Sequence, residues 1–378
     1  MRKNVGGVCF VALVVLATVS TRAWNGGWVE SPPHAESGAS APEQDDDRER
    51  FVRFIAFGDM GTGDNDQIAL AKRMALWQNE VHFDTVLLLG DNIYPDGNPA
   101  DIPAKFEKPY EELLRRGVRF YAVLGNHDVE KGREGQINYP NFNMGGRAYY
   151  SFVKSNGLAE FFALDSNNID AAQLRWLENA LASSKAIWKL AYFHHPIYSS
   201  GKKHGSDTVL RAKLEPLFVQ YGVAAVFSGH DHIYERTKLQ QGIQYFVAGA
   251  GSGKLRRGDL NRGTPFFLVG NDETSSFLSV EATREQLSFK AIDSAGDVFD
   301  SGDLLSKAAK PQPLSLSMPL TIPPMINGAK LPASMNKNPV SEAPASANQT
   351  GKDAQMSGRN EDMRKREEKE RHKKEQEE

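Results

Sequence analysis

The chain has 378 residues, 40% of them hydrophobic and 25% charged, with 45 basic against 48 acidic side chains for a formal net charge of −3. That length can bury a large core, and the composition excludes a fibrous or wholly disordered chain. Balanced charge excludes a basic footprint for nucleic acid or an anionic membrane surface, and the single cysteine, Cys9, excludes an intrachain disulfide framework and any Cys-based zinc site.

The chain opens on Arg2 and Lys3, then an apolar run from Val8 to Val19, then Thr21-Arg22-Ala23. A basic start, an apolar centre and small residues at a cleavage site predict a secretory signal over residues 1–23. The expected location is secreted or periplasmic, with no stable membrane insertion after cleavage. Left uncleaved, the stretch would be a membrane anchor barely long enough to span. Residues 24–50, rich in Ser, Pro, Ala and acidic side chains, read as a flexible leader.

Residues 51–305 carry the pattern of a folded domain. Five short apolar runs each end in a polar cluster, and four of the clusters open on glycine. Phe51–Phe57 leads to Gly58-Asp59, Thr85–Leu89 to Gly90-Asp91, and Phe120–Leu124 to Gly125-Asn126-His127-Asp128. Trp188–Phe193 leads to His194-His195, and Val223–Phe227 to Gly229-His230-Asp231-His232. Runs this short, rich in β-branched and aromatic residues, predict buried strands. Between them Ile68, Ala71, Met74 and Ala75 recur at helical spacing after Asp64 or Asn65, as do Leu174, Leu177 and Leu181 after Asp170. A third helix is expected over Val209–Tyr221, closed by Gly222. Alternating strands and helices predict an α/β fold with its ligand site beyond the carboxyl ends of the strands, where all five polar clusters fall. The prolines of 306–350 predict a linker or extended arm. Residues 351–378 read as a charged tail, disordered or a solvated helix with Glu-to-Lys/Arg pairs at i,i+4.

Of nine histidines, six (His127, His194, His195, His204, His230 and His232) lie in or beside these clusters. A lone histidine at a strand end is usually a hydrogen-bonded packing residue, but Asp59, Asp91, Asn126 and several histidines at one sheet edge predict a pair of cations. Oxygen and imidazole donors without thiolate suit iron, zinc or manganese.

The blocks Gly58-Asp59-Met60-Gly61, Gly90-Asp91-Asn92-Ile93-Tyr94, Gly125-Asn126-His127-Asp128, His194-His195-Pro196 and Gly229-His230-Asp231-His232 resemble, in order, the five blocks of the calcineurin-like metallophosphoesterases. The tyrosine of the second block resembles the purple acid phosphatases, and the short stretch before Phe51 resembles their small, tartrate-resistant type. The resemblance implies a four-layer α/β/β/α sandwich with two facing mixed β-sheets. It implies a first metal, Fe(III), on Asp59, Tyr94 and His232. A second, Fe(II), Zn or Mn, would lie on Asn126, His194 and His230, with Asp91 bridging. It further implies hydrolysis of small phosphate monoesters by a metal-bound hydroxide, with His127 contacting the phosphate and protonating the leaving group. Asp128 is expected to orient the His127 ring. His204 is the candidate second substrate histidine, His195 is expected behind the ligands or in a structural place, and Arg147 and the pair Glu235-Arg236 are expected to be structural. The loop Gly132–Gly146 is expected over the cleft. A phosphodiesterase or nucleotide hydrolase on the same metals is the alternative enzyme, since ligands do not fix substrate. A surface-tethered binding protein with a residual metal site is the alternative of another class. The oligomeric state is not legible.

Overall fold

The structure is a computed structural model that describes residues 50–306; the expected signal and leader, up to residue 49, and the expected arm and tail, from residue 307, lie outside the described residues. Thirteen strands and six α-helices follow in chain order: β1 (Val52–Phe57), α1 (Asn65–Val81), β2 (Thr85–Leu88), α2 (Glu111–Arg115), β3 (Arg119–Ala122), α3 (Asp128–Lys131), α4 (Arg133–Ile137), β4 (Tyr150–Lys154), β5 (Ala159–Ala163), α5 (Ala171–Ser183), β6 (Trp188–Tyr192), α6 (Thr208–Tyr221), β7 (Ala225–Ser228), β8 (Tyr234–Thr237), β9 (Gln244–Ala248), β10 (Phe267–Asn271), β11 (Ser276–Ala282), β12 (Gln286–Asp293) and β13 (Val298–Leu305). Among the described residues no helix is long and apolar enough to cross a membrane.

The strands form two mixed sheets, one ordered β13-β12-β11-β1-β2-β3 and the other β10-β8-β9-β7-β6-β5-β4. β1, β2 and β3 run parallel, as do β5, β6, β7 and β9, while β11 joins β1 antiparallel. Side chains alternate across each strand and so serve two cores. From β5, β7 and β9, Phe161, Phe227 and Phe246 turn inward, whereas Phe162, Val226 and Tyr245 turn outward onto α5 and α6. The sheets meet face to face on Phe54, whose ring lies 5.0 Å from Phe161 and 5.6 Å from Phe227, both edge-on. Each buried phenylalanine contributes roughly 1.5–3 kcal/mol of apolar burial. On the outer face of the first sheet α1 buries Leu70 and Met74, and Trp77 donates to Ser279 Oγ of β11 at 2.9 Å. The result is the four-layer α/β/β/α sandwich.

Local chemistry explains the helix starts. Asp64, Asp170 and Asp207 each accept a hydrogen bond from a backbone N–H of the first turn they cap, at Gln67, Gln173 and Leu210. Gly222 ends α6 in the left-handed region at φ +72°. The strand predicted from Val223 starts later, because Val223 N still bonds the helix carbonyl of Phe218 at 2.9 Å. The expected loop over 132–146 is partly helical, containing α4 and a 3-10 turn at Pro140–Phe142.

Candidate metal centre

The site is assembled at the carboxyl ends of β1, β2, β3, β6 and β7, where the chain must turn sharply. Asp59, Asp91 and His230 all adopt left-handed backbone, with φ of +59°, +52° and +71°. Non-glycine residues rarely occupy that region, and three of them at one edge mark a strained, over-determined corner. Two glycines allow the close approach: a Cβ on Gly125 would fall 2.0 Å from Asp91 Oδ1, and one on Gly229 would fall 2.5 Å from Asp59 Oδ2.

The donor atoms converge in two groups. In one, the Tyr94 hydroxyl lies 3.3 Å from Asp59 Oδ1 and 3.0 Å from His232 Nε2, and His232 Nε2 lies 3.4 Å from Asp59 Oδ1. In the other, His194 Nε2 lies 3.1 Å from Asn126 Oδ1 and 3.1 Å from His230 Nδ1. Asp91 stands between them, with Oδ2 2.9 Å from the Tyr94 hydroxyl and Oδ1 3.5 Å from His194 Nε2. Asp59, Asp91 and His194 are completely or almost completely buried.

Backbone contacts fix the imidazoles. His194 Nδ1 donates to Leu89 O at 2.9 Å and His232 Nδ1 to Lys254 O at 2.6 Å, so each turns Nε2 into the site. His230 N donates to Asp59 Oδ2 at 2.8 Å, and His127 N to Asp91 Oδ1 at 3.1 Å. This donor set, all oxygen and imidazole with lone pairs facing one another across a few ångströms, fits two hard or borderline cations.

Electrostatics without the ions point the same way. Burial, then the Asp59 and Asp91 carboxylates, raise the Tyr94 phenol well above its ordinary value. Burial opposes ionisation of Asp91, but His194 and His127 outweigh it and hold the carboxyl below its usual range. Burial likewise opposes charging His194, while Asp91 and Asp59 prevail and raise it; burial and the His194 charge push His230 far down. A phenolate at Tyr94 therefore needs a bound cation, which inverts the local balance.

Around this centre, the His127 ring stands 4.8 Å from Tyr94, and its Nδ1 donates to Pro95 O at 2.5 Å. The His204 ring lies 4.2 Å from that of His230. His195 also approaches His230, at 4.5 Å, but its Nδ1 pairs with Ser166 Oγ at 2.8 Å, and burial followed by His194 pushes it down to about 3.

Asp128 does not orient His127. Its carboxylate turns the other way and accepts from the backbone of Asn92 at 2.9 Å, Ile93 at 3.1 Å and Gly125 at 2.8 Å. Asn92 Nδ2 at 3.1 Å and Gln136 Nε2 at 2.9 Å complete the ring of donors. Asp128 therefore ties the turn carrying Asp91 and Tyr94 to the turn carrying Asn126. Burial, then the Asp91 charge, push its carboxyl up to about 6.

Glu235 and Arg236 are not paired with each other. Arg236 grips Asp300 with two hydrogen bonds, at 2.7 and 2.8 Å, and Glu235 accepts from Ser200 N and Oγ, both at 2.6 Å. With Asp231, which accepts from Ser199 Oγ and from Gly205 N at 3.2 Å, Glu235 pins the segment that bears His204. Burial pushes Glu235 up to about 7, so its protonated form is favoured by the fold. That contribution is complete below the unfolded value of 4.5 and is lost as pH rises through about 7. In metal-free protein, Glu235→Gln is expected to gain on wild type by up to about 3 kcal/mol between pH 4.5 and 8. Urea unfolding at both ends of that range checks it, and parallel pH dependences of the two proteins would contradict it.

Three elements of the site carry no signature in the sequence: Lys254 beside His232, Gln136 behind Asp128, and Ser166 on His195. The expected Arg147 is exposed.

Comparison with known proteins places this architecture. The calcineurin-like phosphoesterase family matches residues 52–234. Purple acid phosphatase 17 of Arabidopsis thaliana is 30% identical over 281 residues, 66% of this chain and 82% of that protein. Tartrate-resistant acid phosphatase type 5 of Rattus norvegicus is 28% identical over 65% of this chain and 88% of its own. Among solved structures, the yellow lupin purple acid phosphatase PPD1 superposes with a TM-score of 0.58 at 21% identity, covering 68% of this chain and 54% of that one. GAP50, the anchor in the inner membrane complex of Plasmodium, gives 0.61 at 22%, covering 69% and 90%, a likeness of fold. With the match to the plant relative extending over four-fifths of that protein, the chain belongs to the purple acid phosphatase family of calcineurin-like phosphoesterases.

Proposed function

We propose that the chain is an exported acid phosphatase that hydrolyses phosphate monoesters at a binuclear centre, Fe(III) with Fe(II), Zn or Mn. The observation that carries this reading is the pair of donor groups flanking the buried Asp91, one carboxylate oxygen toward each. Asp59, Tyr94 and His232 would hold one ion, Asn126, His194 and His230 the other, and Asp91 both. When bound, the ions supply Lewis acidity toward the phosphoryl oxygens and a water of lowered pKa. The protein's own part is orientation and proton transfer. His127 keeps its Nδ1–H on Pro95 O, so its Nε2 edge is the one left to pass a proton to the departing alkoxide. His204, held beside His230 by the segment that Asp231 and Glu235 pin, would meet the same phosphate, a reading that its nearness to His230 supports. The likeness to the Plasmodium anchor is the ground for the alternative of a tethered binding protein, and the complete donor set favours the enzyme.

Spectroscopy tests the assignment through one residue. A Tyr94 phenolate on Fe(III) absorbs in the visible, so iron-loaded wild type is expected to be pink to violet and to cleave p-nitrophenyl phosphate fastest at acid pH. Tyr94→Phe is expected to lose the band while keeping iron on the remaining donors. A colourless wild type with full Fe(III) would overturn the purple acid phosphatase chemistry proposed here, and a rate maximum near pH 9 would favour the phosphodiesterase alternative.

A further inference from the structure

Two loops close one side of the cleft. The segment after His194 and the segment 254–261 are joined by hydrogen bonds from Lys202 N to Asp259 O at 2.9 Å, Lys203 N to Asp259 Oδ1 at 3.0 Å and Asn261 N to Ser200 O at 2.8 Å. The carbonyl of Lys254 holds His232 Nδ1, so this wall is tied to the candidate centre. Its charges are unusual. The Lys254 ammonium lies 3.9 Å from the centroid of the Tyr94 ring, and both Lys254 and Lys203 are exposed. Among the described residues, neither ammonium makes an ion pair with a carboxylate. Arg256, on the same wall, has a buried Nη1 with no acceptor. Lys254 faces the Asp91 and Asp59 carboxylates across the rim, and Arg256 and Lys203 stand near enough to repel it.

Those two carboxylates are the ones that cations would engage. Once they are engaged, Lys254 and Lys203 are left as like charges at the rim of a positive centre, whereas Arg256 still faces the Asp231 carboxylate. An exposed cation–π contact is worth about 0.5–1 kcal/mol and does not by itself account for gathering them. An anion does. The scissile phosphate is already met by the centre, so the wall has charge to spare for a different group.

We infer that Lys254, supported by Lys203, determines specificity by binding a second anionic group on the substrate, so that the favoured substrates are phosphate esters whose leaving portion carries another phosphate or carboxylate. This rests on the phosphatase reading above and names the substrate class of that site. Charged clefts of this kind also raise the association rate of anionic ligands, in a salt-dependent way.

The test compares fructose 1,6-bisphosphate with fructose 6-phosphate on the metal-loaded enzyme, in wild type, Lys254→Met and Lys254→Arg. Wild type is expected to favour the bisphosphate in kcat/KM. Lys254→Met should lower that preference about tenfold, mainly through KM, the scale of one charge-assisted contact. Lys254→Arg should restore most of it, and Lys203→Met/Lys254→Met should lower it further. The backbone carbonyl that holds His232 is present in every variant. Calorimetric titration with methylenediphosphonate gives a reading independent of turnover, with affinity expected to fall about tenfold in Lys254→Met. Equal KM changes for the two sugars, or unchanged diphosphonate affinity, would overturn the inference. If wild type turns over neither ester, the phosphatase reading fails, while the titration still decides whether Lys254 binds a second anion.

Discussion

Asp91→Ala is expected to remove both metal ions together and to lower the phosphatase rate by about four orders of magnitude or more. The scale follows from the several kcal/mol of transition-state charge stabilisation that bound cations supply, at 1.36 kcal/mol per tenfold. The geometry makes this residue the extreme case, because its two oxygens face the two donor groups separately, toward Tyr94 and toward His194. Removal of Asn126 or His232 would deprive only one group. The folded protein should survive the change at a cost of about 1–3 kcal/mol, because the buried Tyr94 hydroxyl and the His127 N–H lose the acceptor that Asp91 provides. Thermal melts separate the two effects. In chelator, the variant should melt below wild type by up to about 10 °C. Saturating metal should then stabilise wild type by about 4 kcal/mol at a thousandfold excess over the dissociation constant, and leave the variant unmoved. Two ions per chain in the variant, or an equal metal-induced shift, would show that Asp91 does not bridge.

The parts of this molecule legible in the sequence are those where one short segment contains both the fold signal and the chemistry. Each of β1, β2, β3, β6 and β7 is an apolar run that ends at its own polar cluster, so strand and candidate ligand are read together. Helix caps are equally local, as Asp64 and Asp170 show. What escaped is set by chain direction or by distant contacts. Asp128 follows His127 directly, and adjacency suggests that they touch. Yet α3 begins at Asp128, and the first helical turn carries its carboxylate away from the imidazole toward Asn92 and Gln136. Glu235 and Arg236 are adjacent too, but they lie on β8, where successive side chains point to opposite faces. One therefore reaches Ser200 and the other Asp300. Lys254 reaches Tyr94 only because its loop is fastened to the segment after His194, a pairing that no periodicity announces.

Asp128→Ala should be the most damaging change that touches no candidate ligand directly. It would strip the acceptor from three backbone N–H groups and two side-chain amides, all buried behind the centre. A buried donor left without a partner costs about 1–3 kcal/mol, and removing one member of a buried charged network about 3–5 kcal/mol. At about 2–4 °C per kcal/mol for a domain of this size, the melting temperature should fall by roughly 10 °C or more. Asp128→Asn keeps one acceptor oxygen but presents an amide to groups that only donate, and should fall between. Activity measured well below either melting point should also drop, because the turn placing Asp91 and Tyr94 is no longer tied to the one placing Asn126. His127 supplies the control. Its ring is held by Pro95 O, so His127→Ala should lower the rate and leave stability nearly unchanged. If Asp128→Ala instead reproduced that pattern, with a slow enzyme of native stability, the carboxylate would be serving the imidazole after all, and the clamp between the two turns would be refuted.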